Sequence, residues 1–143
     1  MPKLKARNVV ACEEIRRLDS GRHILLGVLI TRLRVSQLPA DIALSMWIEV
    51  VADTQDEILG EFRIIAENDA VLLASPIEVA ATKIARRPAS LTLPKMPIQL
   101  QRTGIIRAQW RFPPDDWETL KEIEVAIGQP TKEKDTLGAA PTD

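Results

Sequence analysis

Apolar and polar residues alternate along much of this chain with a period of two. Ile42–Asp53 places Ile42, Leu44, Met46, Ile48 and Val50 on one face and Ala43, Ser45, Trp47, Glu49 and Val51 on the other. Ile58, Phe62 and Ile64 oppose Glu61, Arg63 and Glu67. In Ile105–Phe112 the apolar set Ile106, Ala108, Trp110 and Phe112 points away from Arg107, Gln109 and Arg111. Alternation with one polar face predicts half-buried strands. Asn8–Leu18 and Arg22–Val35 flank Asp19-Ser20-Gly21 and predict a hairpin, with Gly21 supplying the positive φ of the turn. Asn68-Asp69 and Arg102-Thr103-Gly104 predict further turns.

Two segments carry competing signals. Ser75-Pro76-Ile77-Glu78 has the form of a helix capping box with Pro at the first helical position, and Arg86-Arg87 before Pro88 suits a helix end. The same residues alternate Ile77, Val79 and Ala81, and we expect one short helix or irregular turn over 76–87. In Asp115–Gly128, Asp115 and Glu118 could cap a helix. Ile123, Val125 and Ile127 nevertheless alternate with Glu122 and Glu124, and β-branched residues at alternate positions favour a final strand over 116–127. After Gly128 the only large apolar residue is Leu137, so 129–143 reads as a flexible tail behind one domain of residues 1–128. Roughly seven short strands at this spacing predict a mainly β fold, an antiparallel β-sandwich. The ten prolines are expected in loops and at strand edges.

Composition narrows the chemistry. The 143 residues suffice for about one domain, and they include one His, one Cys and no Tyr. A zinc site of several His and Cys ligands is thereby excluded, as is an intramolecular disulfide. The longest uncharged apolar stretch, Ile24–Thr31, is far short of a membrane span, and a single Cys without an export signal predicts a cytoplasmic location.

The net charge of −1 conceals blocks of opposite sign. Residues 1–34 hold eight basic and three acidic side chains, 35–78 one and nine, 79–114 seven and none, and 115–143 three and eight. Basic strands lying beside acidic ones would account for this through cross-strand pairs. A surface with one positive and one negative face would instead favour head-to-tail self-association or an asymmetric protein partner.

Each constellation that could do chemistry meets a geometric objection. Cys12 and His23 are the only thiolate–imidazole candidates. The predicted hairpin sets Cys12 opposite Leu29 and His23 opposite Leu18, roughly 20 Å apart at the usual strand rise. Asp53, Asp56 and Glu57 share one acidic turn, Asp69 lies in the next, and Asp115-Asp116 in another. The first two turns fall at opposite ends of a strand, so only one can join Asp115-Asp116 in a Ca²⁺ site, which needs six or more oxygens. The basic stretch 79–114, with Lys83, Arg86, Arg87, Lys95, Arg102, Arg107 and Arg111, could line a nucleic-acid groove. Its aromatics, Trp110 and Phe112, point inward and leave no stacking platform for bases, so nucleic acid is disfavoured as a partner.

The apolar strand ending in Cys12 with an acidic residue after it, then Gly21-Arg22, then an apolar strand containing Gly27, then Pro39, resembles the opening of a family of small uncharacterised bacterial domains of unknown function. The resemblance covers about residues 8–51 and implies a β-sandwich without assigned chemistry. With no catalytic, cofactor-binding or metal-binding residues singled out, the expected role is non-catalytic: an interaction module that binds a genetic neighbour or itself as a homo-oligomer. The alternatives are an accessory nucleic-acid-binding domain using 79–114 and a small-ligand or Ca²⁺ module. The apolar stretches Asn8–Ala11 and Ile24–Ile30 are the expected sites of association.

Overall fold

The period-two segments are strands in the computed structural model, which describes residues 4–52, 57–80 and 89–128. The described residues form ten strands and no helix: β1 Leu4–Cys12, β2 Glu14–Arg17, β3 His23–Leu26, β4 Arg32–Val35, β5 Ala40–Ala52, β6 Glu57–Ile65, β7 Val71–Ala80, β8 Ala89–Leu100, β9 Gly104–Arg111 and β10 Glu118–Ile127. They make a three-stranded sheet β1-β5-β8, a five-stranded sheet β4-β10-β9-β6-β7 and a two-stranded ribbon β2-β3. The expectation of roughly seven antiparallel strands is corrected in two ways. There are ten strands among the described residues, and β4 pairs with β10 in parallel.

One hydrophobic core takes side chains from both larger sheets. Leu44, Met46, Ile48 and Val50 of β5 and Ile98 and Leu100 of β8 are buried with Phe62 and Ile64 of β6, Ile106, Ala108 and Trp110 of β9, and Ile123 and Val125 of β10. These are the alternate residues that the sequence pattern selects. Each large side chain fully removed from water contributes about 1.5–3 kcal/mol.

The hairpin around Gly21 is shorter than the sequence suggests. Only β2 and β3 pair there, with Arg17 opposite His23 and Glu14 opposite Leu26. Before it, β1 leaves to pair with β5; after it, β4 joins the other sheet. The break lies at Glu13 and Gly27. The Glu13 amide donates to the carbonyls of both Leu26 and Gly27, and Gly27 sits at φ 68°, where a Cβ would stand 2.7 Å from the Glu13 side chain. Consequently Ala11, not Cys12, bridges to Leu29, and Arg17, not Leu18, faces His23.

The competing segments both resolve as strand. β7 runs through Ser75-Pro76-Ile77-Glu78, so the expected helix or irregular turn is corrected up to Ala80; residues 81–87 lie outside the described residues. Pairing with β6 along its length outweighs the capping signal, and Pro76 is compatible with it because β7 is the outermost strand. β10 covers the second segment as a strand. The proposed tail, 129–143, is outside the described residues.

Candidate functional site

The outward face of the five-stranded sheet is built by register. Antiparallel pairing sets Arg107 opposite Glu122 and Glu61 opposite Arg111, and the parallel pair sets Arg32 opposite Glu124. All three are ion pairs, at 2.8, 2.7 and 2.9 Å respectively. Basic residues from one charge block therefore meet acidic residues from another across neighbouring strands. Exposed pairs of this kind contribute from nothing to about 1 kcal/mol each.

Arg63 differs from its neighbours on this face. It lies opposite Gln109, and its Nε donates to Gln109 Oε1 at 2.8 Å. Among the described residues no carboxylate stands within 4.0 Å of its guanidinium, whereas Arg32, Arg107 and Arg111 each have one. The guanidinium carbon lies 3.9 Å from the centroid of the Trp117 ring, which also receives Arg111 at 4.7 Å. Cation–π contact orients a guanidinium without neutralising its charge.

Beside Arg63 and Trp117 a groove of about 380 Å³ runs toward Val71, Ala74, Ser75 and Pro76 of β7. Ala74, Ser75 and Pro76 also line a second groove of about 410 Å³, whose far wall is Leu93–Pro97 of β8. A third, of about 180 Å³, shares Pro76, Ile77 and Leu93 and reaches between the sheets to Ile48 and Trp110. The three adjoin one another along β7, an outermost strand of its sheet, next to β8, an outermost strand of the other.

The residues singled out from sequence are largely kept apart. Cys12 is buried on β1 opposite Ser45, while His23 is on the β2-β3 ribbon. Burial pushes the Cys12 thiol pKa up, the Glu13 charge adds to the rise, and a backbone hydrogen bond from Glu14 offsets part of it. Arg16 beside Glu14 holds that carboxyl below its ordinary range. Asp53 and Asp56 lie outside the described residues. By strand register Glu57 and Asp115-Asp116 fall at one end of the sheet and Asp69 at the other. Among the described residues no three His, Cys, Asp or Glu side chains gather as a metal site would require.

Of the basic stretch, Lys83, Arg86 and Arg87 are outside the described residues, Arg107 and Arg111 are ion-paired, and Arg102 is in an exposed turn. Asn8–Ala11 pairs with β5, with Ala11 also bonded to Leu29, whereas Ile24, Val28 and Ile30 are exposed.

The sequence reading missed Trp117. Its signal was parity: Glu118 lies opposite Trp110, so the preceding residue continues toward Arg111 on the outward face. Finding it required the hairpin register of β9 and β10 and not the pattern of either strand alone.

No protein-family model and no curated protein sequence matches this chain. Among solved structures, it is similar to a β-glucosidase from Listeria innocua in complexes with gluconolactone and with glucose, at 10% identity and TM-scores of 0.41 and 0.40. The alignment covers 86% of this chain and only 16% of that protein. Among the described residues no helix is long and apolar enough to cross a membrane.

Proposed function

We propose that this chain is a non-catalytic β-sandwich that acts by binding protein, through the flank formed by β7 and β8. The supporting observation is the run of three adjoining grooves along that flank, joined by Ala74, Ser75, Pro76, Ile77 and Leu93. Strand order supports the sandwich: β1-β5-β8 against β10-β9-β6-β7 parallels the order of immunoglobulin-like sandwiches. A fold of that kind hosts many functions, so the role rests on the grooves. β7 spans ten residues, about 33 Å at the usual rise, which suits an extended segment better than a compact metabolite. A reducing, cytoplasmic setting and membership of the uncharacterised bacterial family belong to the same proposal. The lone, buried Cys12 supports the first, and the pattern over residues 8–51 supports the second.

The occupant is either a second copy of this chain or another protein, and two measurements separate them. Sedimentation velocity of the wild-type chain and of Ala74→Gln across concentration reads the first: self-association by the wild type that the variant loses. Affinity capture from the native host with the wild-type chain and with Ala74→Gln reads the second. Ala74 is exposed and shared by two grooves, so a genuine occupant is held by wild type and lost from the variant. A monomer under all conditions, with nothing captured that Ala74→Gln loses, refutes the proposal.

A further inference from the structure

We infer that Arg63, stacked on Trp117, recognises a carboxylate in an acidic segment of the protein that occupies the β7 groove. The inference rests on the binding role proposed above and adds a specificity residue to it. Four arginines of this sheet face have assigned contacts, and three of them end on a glutamate. Arg63 ends on a neutral amide and faces the groove with its terminal nitrogens uncommitted to any carboxylate among the described residues.

A guanidinium offers five N–H donors in a fixed fork, and the one at Nε is used by Gln109. The remaining edge matches the two oxygens of a carboxylate. Two features hold the fork still before a partner arrives: the Trp117 ring against its plane and the Gln109 bond at its Nε. Holding the fork lowers the ordering cost of binding. The groove wall beyond it is apolar or small, with Val71, Ala74 and Pro76, so an acidic residue flanked by apolar ones fits the whole surface. The carboxylate of Glu61 also borders the groove, but it is engaged by Arg111 at 2.7 Å.

The test is to pan a random displayed peptide library on the full-length wild-type chain, on Arg63→Gln, on Arg63→Lys and on Ala74→Gln. Melting temperatures establish that each variant is folded. The expected result is a set of wild-type binders with Asp or Glu fixed at one position between apolar residues. Those peptides should lose tenfold or more in affinity on Arg63→Gln and an intermediate amount on Arg63→Lys, which keeps the charge and loses the fork. Replacing the selected Asp or Glu by its amide should weaken wild-type binding equally and leave Arg63→Gln unaffected. Binders that need Ala74 but show no acidic position, or that Arg63→Gln holds as tightly, overturn this inference while leaving the groove's binding role intact. Peptides indifferent to Ala74→Gln, or no binders at all, overturn this inference, and the groove's binding role falls with it when the chain is also monomeric under all conditions and captures nothing that Ala74→Gln loses. Should Arg63→Gln fail to fold, the Arg63→Lys comparison and the amide peptide decide the matter. Inorganic phosphate or acetate that displaces nothing at 50-fold excess over peptide is the expected control, and displacement by either would reassign the site to free anions.

Discussion

Ser45 Oγ accepts the backbone N–H of Lys95 at 2.9 Å and donates to the carbonyl of Glu13 at 3.4 Å. Among the described residues Ser45 is the one buried polar side chain, and it is fully covered. Between Leu44 and Met46 the register of β5 with β8 shifts, because β8 carries an extra residue there, and Lys95 sits at φ 48°. One hydroxyl therefore ties a β-bulge in β8 to the point where β1 ends. Ser45→Ala leaves the Lys95 amide without that acceptor and should cost about 1–3 kcal/mol in chemical denaturation. A cost indistinguishable from zero would mean that the amide finds another partner.

Gly60 is required for a different reason. A Cβ built there would clash with the Phe112 ring and lie 2.5 Å from the Arg111 carbonyl oxygen. The carbonyl is backbone and cannot move aside as a side chain would. Gly60→Ala should cost about 1–3 kcal/mol through overpacking, even though alanine loses less backbone entropy than glycine in a strand. Thermal unfolding checks it, and an unchanged melting temperature would show that β6 and the end of β9 separate easily.

Adjacent residues on β9 should respond in opposite ways. Trp110 is 1% exposed, packs edge-on against Phe112 at 5.1 Å and donates its indole N–H to Glu118 at 3.0 Å. Trp110→Ala should cost about 3–5 kcal/mol. Arg111→Ala removes one exposed ion pair and a second guanidinium from Trp117, and should cost less than about 1 kcal/mol. Similar losses at both positions in urea unfolding would contradict the facing of the strand.

The thiol of Cys12 should be silent in the folded protein. It is buried, and its raised pKa leaves less thiolate at any given pH. The sign for stability follows: the folded chain holds this proton more tightly than the unfolded chain. The associated stability is present below the unfolded thiol's pKa, about 8.5, and is lost as pH rises above it toward the folded value. Labelling by a thiol reagent at pH 7.5 should follow global unfolding in denaturant, and rapid labelling of the native protein would place the thiol at the surface.

The strand faces were legible because burial acts on single side chains at a period of two. Met46, Trp110 and Val125 are buried where the alternation puts them. The hairpin register was not, because it turns on Gly27 adopting a positive φ beside Glu13, a local detail that a turn at Gly21 does not report. β7 was obscured because Ser75 and Pro76 carry helix-start chemistry, and pairing with β6 overrode it. The candidate site was the least legible part. Arg63, Gln109 and Trp117 come from β6, β9 and the residue before β10, and only the joint register of three strands brings them together.

The parallel pairing of β4 with β10 joins residues 32–35 to residues 124–127. During synthesis β4 is complete long before the strand that bonds to it has been made. Until Ile127 emerges, β4 has no partner and β9 has only β6 on its flank. The five-stranded sheet is thus completed only by its last strand, through a pairing of long sequence separation, the kind that is formed slowly. A stalled or shortened nascent chain would leave the backbone edges of β4 and β9 that β10 covers unpaired, open to pairing with a strand from another chain.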